Sequence, residues 1–178
     1  MRSRALLRGV SLACALAFHA AVHAEEYLDR DQLLALAFPG GAAEQQTLWL
    51  NDALREKARA EVGLAPGTLR VRYWQSGART AWILEEIGKE QPITLGIVVE
   101  AGHIADLRVM AFRESRGWEI RHDFFTRQFA GVGLDAGGKL DHPVDGITGA
   151  TLSVNATDRA ARLALWLARQ ADTRAAAR

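Results

Sequence analysis

The sequence predicts an α+β fold, a central antiparallel sheet with helices packed on it. Two observations carry this. Between Thr68 and Phe112 apolar residues recur in short runs broken by turn residues, the signature of consecutive strands. On either side of that region the pattern changes to helical spacing with recognisable caps and stops, and the longest such stretch comes last. There is no internal repeat and no low-complexity block.

Taken in order, Leu28 to Phe38 reads as a short helix, with Asp29 or Asp31 near its start and Pro39-Gly40-Gly41 as its stop. Gln46 to Leu50 suits a short strand. Asn51 is a natural N-cap for a charged helix running to about Val62 and ended by Gly63. Ala65-Pro66-Gly67 is a turn. Leu69, Val71 and Tyr73 then alternate with Arg70, Arg72 and Trp74, which defines a strand with two unlike faces. Ser76-Gly77 turns the chain into Thr80 to Leu84. Ile93 to Glu100 and Ile104 to Phe112 are two further strands joined by Ala101-Gly102-His103, completing a meander. Asp123 to Phe129 suits a short helix, and Leu134 to Pro143 a polar loop. The last helix spans about 152 to 170. Val154, Ala161 and Leu165 share one face of it, and Ala160, Leu163 and Leu167 lie beside them. Asp158 and Arg162 form an exposed i,i+4 pair, and Ala171 to Arg178 reads as a frayed tail.

Residues 1–24 have the pattern of a secretory signal peptide. Arg2, Arg4 and Arg8 precede an apolar stretch from Gly9 to Ala21, too short for an ordinary membrane span, and Val22-His23-Ala24 is a small-residue cleavage site. Two other readings are an uncleaved N-terminal anchor and a lipoprotein modified on Cys14, for which Ser11-Leu12-Ala13-Cys14 is a poor lipobox. Cleavage leaves residues 25–178 as one domain in the periplasm or otherwise outside the cytoplasm. It removes three arginines, so the formal charge of +1 becomes −2, a balance that does not suggest nucleic acid as a partner. Cys14, the only cysteine, leaves with the leader. Disulfide, thiolate and Cys-ligated iron–sulfur chemistry leave with it, so redox chemistry would need a bound organic cofactor. His103, His122 and His142 are scattered without metal-ligand spacing, and no metal site is expected. The sequon Asn155-Ala156-Thr157 falls inside the last helix and is read as coincidence.

The segment with most chemical content is Asp145-Gly146-Ile147-Thr148-Gly149-Ala150-Thr151. It leads directly into the last helix. A helix start offers free N–H groups and a partial positive charge, so phosphate groups settle there. Gly149 permits φ > 0 and close approach of a bulky group, while Ala150 adds only a methyl beside Thr151. Asp145 and Thr148 have side chains short enough to bond the turn's own backbone. The same residue types also serve as ordinary turn and cap residues.

This seven-residue string resembles the attachment motif of the FMN-binding domain family. That family includes the FMN-carrying subunits of the Rnf complex and of the sodium-translocating NADH:quinone reductase, and small exported flavoproteins. A second stretch strengthens the resemblance. Ile97 to Met110 is similar to the family's hairpin, and Phe112-Arg113-Glu114-Ser115-Arg116-Gly117-Trp118 stands where the complex-bound relatives carry E-T-P-G-L-G. Glu114 and Gly117 match that loop; Ser115, Arg116 and Trp118 depart from it. Phe124 to Gly131 is similar to the segment that follows. The resemblance covers about residues 90–170.

It implies a covalent cofactor, FMN joined by a phosphoester to Thr151 near the start of the last helix. It further implies that a separate flavin transferase, using FAD and Mg²⁺, installs the group and reads the turn shaped by Asp145, Gly146, Thr148, Gly149 and Ala150. Around the ring, Glu114 can accept from a flavin N–H or order its loop, the alternative being an exposed charge pairing with Arg113 or Arg116. Trp118 can stack on the ring, the alternative being a half-buried surface anchor. Arg121 and Arg127 can sit near phosphate or be solvated charges. The function expected is an electron carrier between donor and acceptor proteins, in solution or at the membrane. Two alternatives are a reductase in which FMN passes electrons to a small acceptor, and a non-redox binding module of the cell envelope.

Overall fold

A computed structural model describes residues 25–176; the expected leader, residues 1–24, lies outside them. Helix α1 (Arg30–Ala37) opens with a capping box. The Asp29 carboxylate accepts from the Gln32 amide, and the Gln32 side chain accepts from the Asp29 amide. This satisfies two orphan donors reciprocally. Strand β2 (Glu44–Trp49) leads to helix α2 (Asp52–Val62), capped by the Asn51 side chain on the Leu54 amide and ended by Gly63. Four long strands follow: β3 (Arg70–Ser76), β4 (Arg79–Ile87), β5 (Pro92–Glu100) and β6 (His103–Phe112). Residues Trp118–Arg121 form a 3₁₀ turn, Asp123–Thr126 a single helical turn α3, and Arg127–Phe129 a second 3₁₀ turn. Helix α4 covers Thr151–Ala176.

The sheet is antiparallel with order β1-β6-β5-β4-β3-β2, where β1 is Glu25–Glu26 paired to Phe112 and Ala111. The α+β expectation is met. Strand β1 was not legible, since two exposed glutamates carry no alternation. Strand β4 runs three residues past the expected Leu84, because β5 pairs with it through Ile87↔Pro92.

Burial explains the two layers. Along the strands Trp82, Ile93, Leu95, Ile97, Val99 and Leu107 point to one side and pack with α2 and α4 in a single core. Ala81 and Val98 have the opposite parity and pack with Ala37 and Phe38 at the end of α1. Helix α4 is buried over most of its circumference between Ala160 and Ala168. The sheet covers one side, and α2 reaches another through Trp166 Nε1–H, which donates to Glu61. The expected apolar stripe was therefore too narrow. The Asp158–Arg162 pair is present at 2.9 Å, but the Arg162 side chain is largely covered and also donates to the Val62 carbonyl.

The expected frayed tail is helical through Ala176. Ala171 is buried and Arg174 donates to the Trp49 carbonyl, so tertiary contacts extend a helix whose last residues have no apolar period of their own.

Candidate cofactor site

Three segments converge at one end of the sheet: the β4–β5 turn, the chain leaving β6, and the start of α4. The motif forms the last of these. Ile147 and Val144 pack against the core. The Ala150 amide donates to the Ile147 carbonyl at 2.9 Å, closing a four-residue turn. Gly149 has φ +85° at its third position, the residue that a type II turn requires to be left-handed. The Gln128 side chain accepts from the Asp145 amide at 2.7 Å and fixes the loop's entry. Asp145, Gly146 and Thr148 are exposed. Neither the Asp145 nor the Thr148 side chain bonds the turn; the backbone alone holds its shape.

The turn delivers Thr151 to the first helical position. The Ala150 carbonyl accepts from the Val154 amide, which makes Ala150 the N-cap, and its methyl group cannot accept a bond. Among the described residues no side chain caps the amides of Thr151, Leu152 or Ser153. The helix thus keeps its orphan donors and partial positive charge open to whatever lies in front of it. Thr151 is exposed, Ala150 is buried, and Ser153 is buried at 4% exposure.

In front of this helix end is a cavity of about 540 Å³ lined by Lys89, Glu114, Ser115, Arg116 and residues 149–153. Its size is within the ~300–1,000 Å³ usual for cofactor sites. Two cations, Lys89 and Arg116, stand on its wall. Lys89 also pairs with Glu90 at 3.0 Å in solvent. Arg116 has no ion-pair partner among the described residues. Uncapped amides, two cations and an exposed hydroxyl together fit a phosphate-bearing cofactor. Among the described residues no cluster of His, Cys, Asp or Glu could hold a metal ion.

Glu114 has a structural task. Its Oε1 accepts from the amides of Lys89, Glu90 and Gln91, the last at 2.9 Å, and so orders the β4–β5 turn. Partial burial works against its charge, but the three amides outweigh burial and hold the carboxyl below its ordinary value. It pairs with neither Arg113 nor Arg116. Arg113 instead donates to the Pro92 carbonyl and to Thr94 Oγ1, clamping the start of β5. Arg159 of α4 donates to Glu86 and to the Ile87 carbonyl. The turn is thereby fastened to both β6 and α4.

Trp118 stands apart from this cavity, beyond the Glu114–Ser115 segment. It lines a smaller one of about 240 Å³ with Glu25, Phe112, Glu114, Ser115 and Arg121. It is 43% exposed, meets His122 edge-on at 5.3 Å, and has the Arg121 guanidinium 5.0 Å above its ring. Arg121 also covers Tyr27 at 4.7 Å, and Arg127 pairs with Asp123 at 2.7 Å.

Sequence reasoning did not single out Lys89 or Ser153, nor Arg116 as a cavity wall. Lys89 arrives through the Glu114 contact, 25 residues away in sequence, and nothing local announces it. Ser153 carried a usable signal, its place two residues after Thr151 in the first helical turn.

An α+β unit that presents a free hydroxyl at an uncapped helix start, on the wall of a cofactor-sized cavity, is the frame of a phosphate-cofactor protein. Residues 88–166 match the family model of the FMN-binding domain, so this stretch of the chain is similar to that family. The match supports a flavoprotein that binds FMN. It begins at the β4–β5 turn and ends within α4, so it takes in every segment of the site. No curated protein and no solved structure matches the chain.

Proposed function

We propose that this protein is an exported electron carrier whose FMN is held by a phosphoester on Thr151. The observation that carries the reading is Thr151 itself, an exposed hydroxyl at the first position of a helix with no side-chain cap, facing the cavity. In the installing reaction the Thr151 oxygen attacks the FMN-side phosphorus of FAD. The bond to the bridging oxygen breaks, AMP leaves, and the threonine proton passes to a base of the transferase. The Mg²⁺ and FAD belong to that enzyme, and this chain is its substrate. Thr148, Gly149 and Thr151 are exposed and accessible to such a partner.

When bound, FMN supplies one- and two-electron transfer. The chain's own part is positional. The uncapped amides of α4 and the cations Lys89 and Arg116 would favour the phosphate, and the turn braced by Glu114 shapes the cavity wall. A tethered cofactor suits residues 25–178 as one domain working outside the cytoplasm, where a released flavin would diffuse away. Residues 1–24 would direct that export. The donor and acceptor would be separate redox proteins.

The test is the intact mass of denatured protein after incubation with an FAD-dependent flavin transferase, FAD and Mg²⁺. The expected result is a gain of one FMN minus water on the peptide containing Thr151, absent from Thr151→Ala. An unmodified wild-type mass, or a modified Thr151→Ala, would remove the covalent assignment.

A further inference from the structure

Ser153 is the most deeply covered polar side chain at the site. It is 4% exposed, and its Oγ has no hydrogen-bond partner among the described residues, although the residue lines the cavity in front of α4. Enclosed on most sides, this hydroxyl has no protein partner and opens only toward the cavity, so an acceptor entering the cavity would satisfy it. Usual local uses of a hydroxyl at this position are closed. A side chain at the third helical position can reach back to the N-cap amide, but the Ala150 amide already donates to the Ile147 carbonyl. The Ser153 carbonyl accepts from Thr157 Oγ1 at 2.9 Å, but that bond leaves the hydroxyl free.

Space for this hydroxyl comes from the facing loop. Gly117 lies against it with φ +89°, and a Cβ there would overlap Ser153 Oγ. The left-handed backbone and the absent side chain at Gly117 therefore allow a polar atom to be buried beside the open helix end. Loop and helix are brought together around an oxygen that neither of them uses.

We propose that Ser153 is a positioning residue for the cofactor, its hydroxyl donating to a phosphate oxygen of the group carried on Thr151. This rests on the reading of Thr151 as the anchor. Thr151 would supply the covalent bond, the amides at the helix start the general attraction for an anion, and Ser153 one directed bond that fixes the phosphate's orientation. The cofactor would then leave the helix in one direction, instead of swinging about the threonine.

The test compares wild type with Ser153→Ala. The substitution removes one oxygen, raises helix propensity, and should leave the fold intact by far-UV circular dichroism. Both proteins are loaded with the transferase and FAD, their masses confirmed, and the ³¹P resonance of the phosphodiester and the fluorescence anisotropy of the flavin recorded. The expected result is equal final loading, a displaced ³¹P resonance in Ser153→Ala, and faster local depolarisation of its flavin. Coincident resonances and anisotropies in two fully loaded proteins would overturn the proposal while leaving the anchor intact. A wild type that gains no FMN would overturn the anchor, and the role of Ser153 with it.

Discussion

At the scale of single residues, the site depends on one carboxylate that faces backbone. Glu114 gathers three amides of the β4–β5 turn, and those amides hold its carboxyl below the ordinary Glu value of 4.5 despite partial burial. A folded-state value below the unfolded one contributes stability above the unfolded value. That contribution is lost as pH falls through the folded value. Glu114→Gln keeps an acceptor but loses the charge. After allowance for solvent screening it is expected to cost about 1 kcal/mol near neutrality. Urea titrations of both proteins should show this gap as constant above pH 6 and narrowing below about pH 4.5. A gap that widens on acidification would mean that the three amides do not favour the charged form. Glu114 also shows what spacing can reveal. Its correspondence to a family loop marked it as important, but only the approach of a distant turn assigned it to backbone bracing.

At the scale of elements, the boundaries set by local chemistry were the legible ones. Asn51 and Gly63 bracket α2 as expected, and the Asp29–Gln32 box opens α1, because caps act within a few residues of their own position. The start of α4 was legible for the same reason, since the turn that delivers Thr151 is contained in seven residues. Boundaries set by tertiary contact were not. Strand β1 exists because Phe112 and Ala111 present an edge to it, and the end of α4 is held by β2 through Arg174 and Trp49. The cap of α2 gives a direct measure of the local kind. Asn51→Ala is expected to lower stability by about 1 kcal/mol, read as a reduced urea midpoint at unchanged slope. The covalent loading proposed for Thr151 should be unaffected, because the cap stabilises α2 without shaping the turn that presents the threonine. A changed slope would mean that the substitution alters more than a helix end.

At the scale of the whole molecule, the family match begins at the β4–β5 turn, leaving β1, α1, β2, α2, β3 and β4 outside it. Packing does not follow that division. One apolar core runs from Leu48 and Leu50 through Ala58 and Val62 of α2, across β3 to β6, and onto α4. Residues before 88 cover α4 from a side the matched segment cannot reach, with Trp166 bonded to Glu61 and Arg159 to Glu86. A core shared in this way gives neither part a separate hydrophobic interior, so both should unfold together. The tryptophans make this measurable. Trp82 and Trp166 are buried in the shared core, whereas Trp49 and Trp118 are largely exposed at β2 and beside the site. The expected outcome is a single urea transition, with the same midpoint by tryptophan fluorescence and by far-UV circular dichroism. An earlier fluorescence transition, with most of the helix content retained, would show that β2, β3, β4 and α2 are a separable layer. It would confine the domain that holds the cofactor to the matched residues.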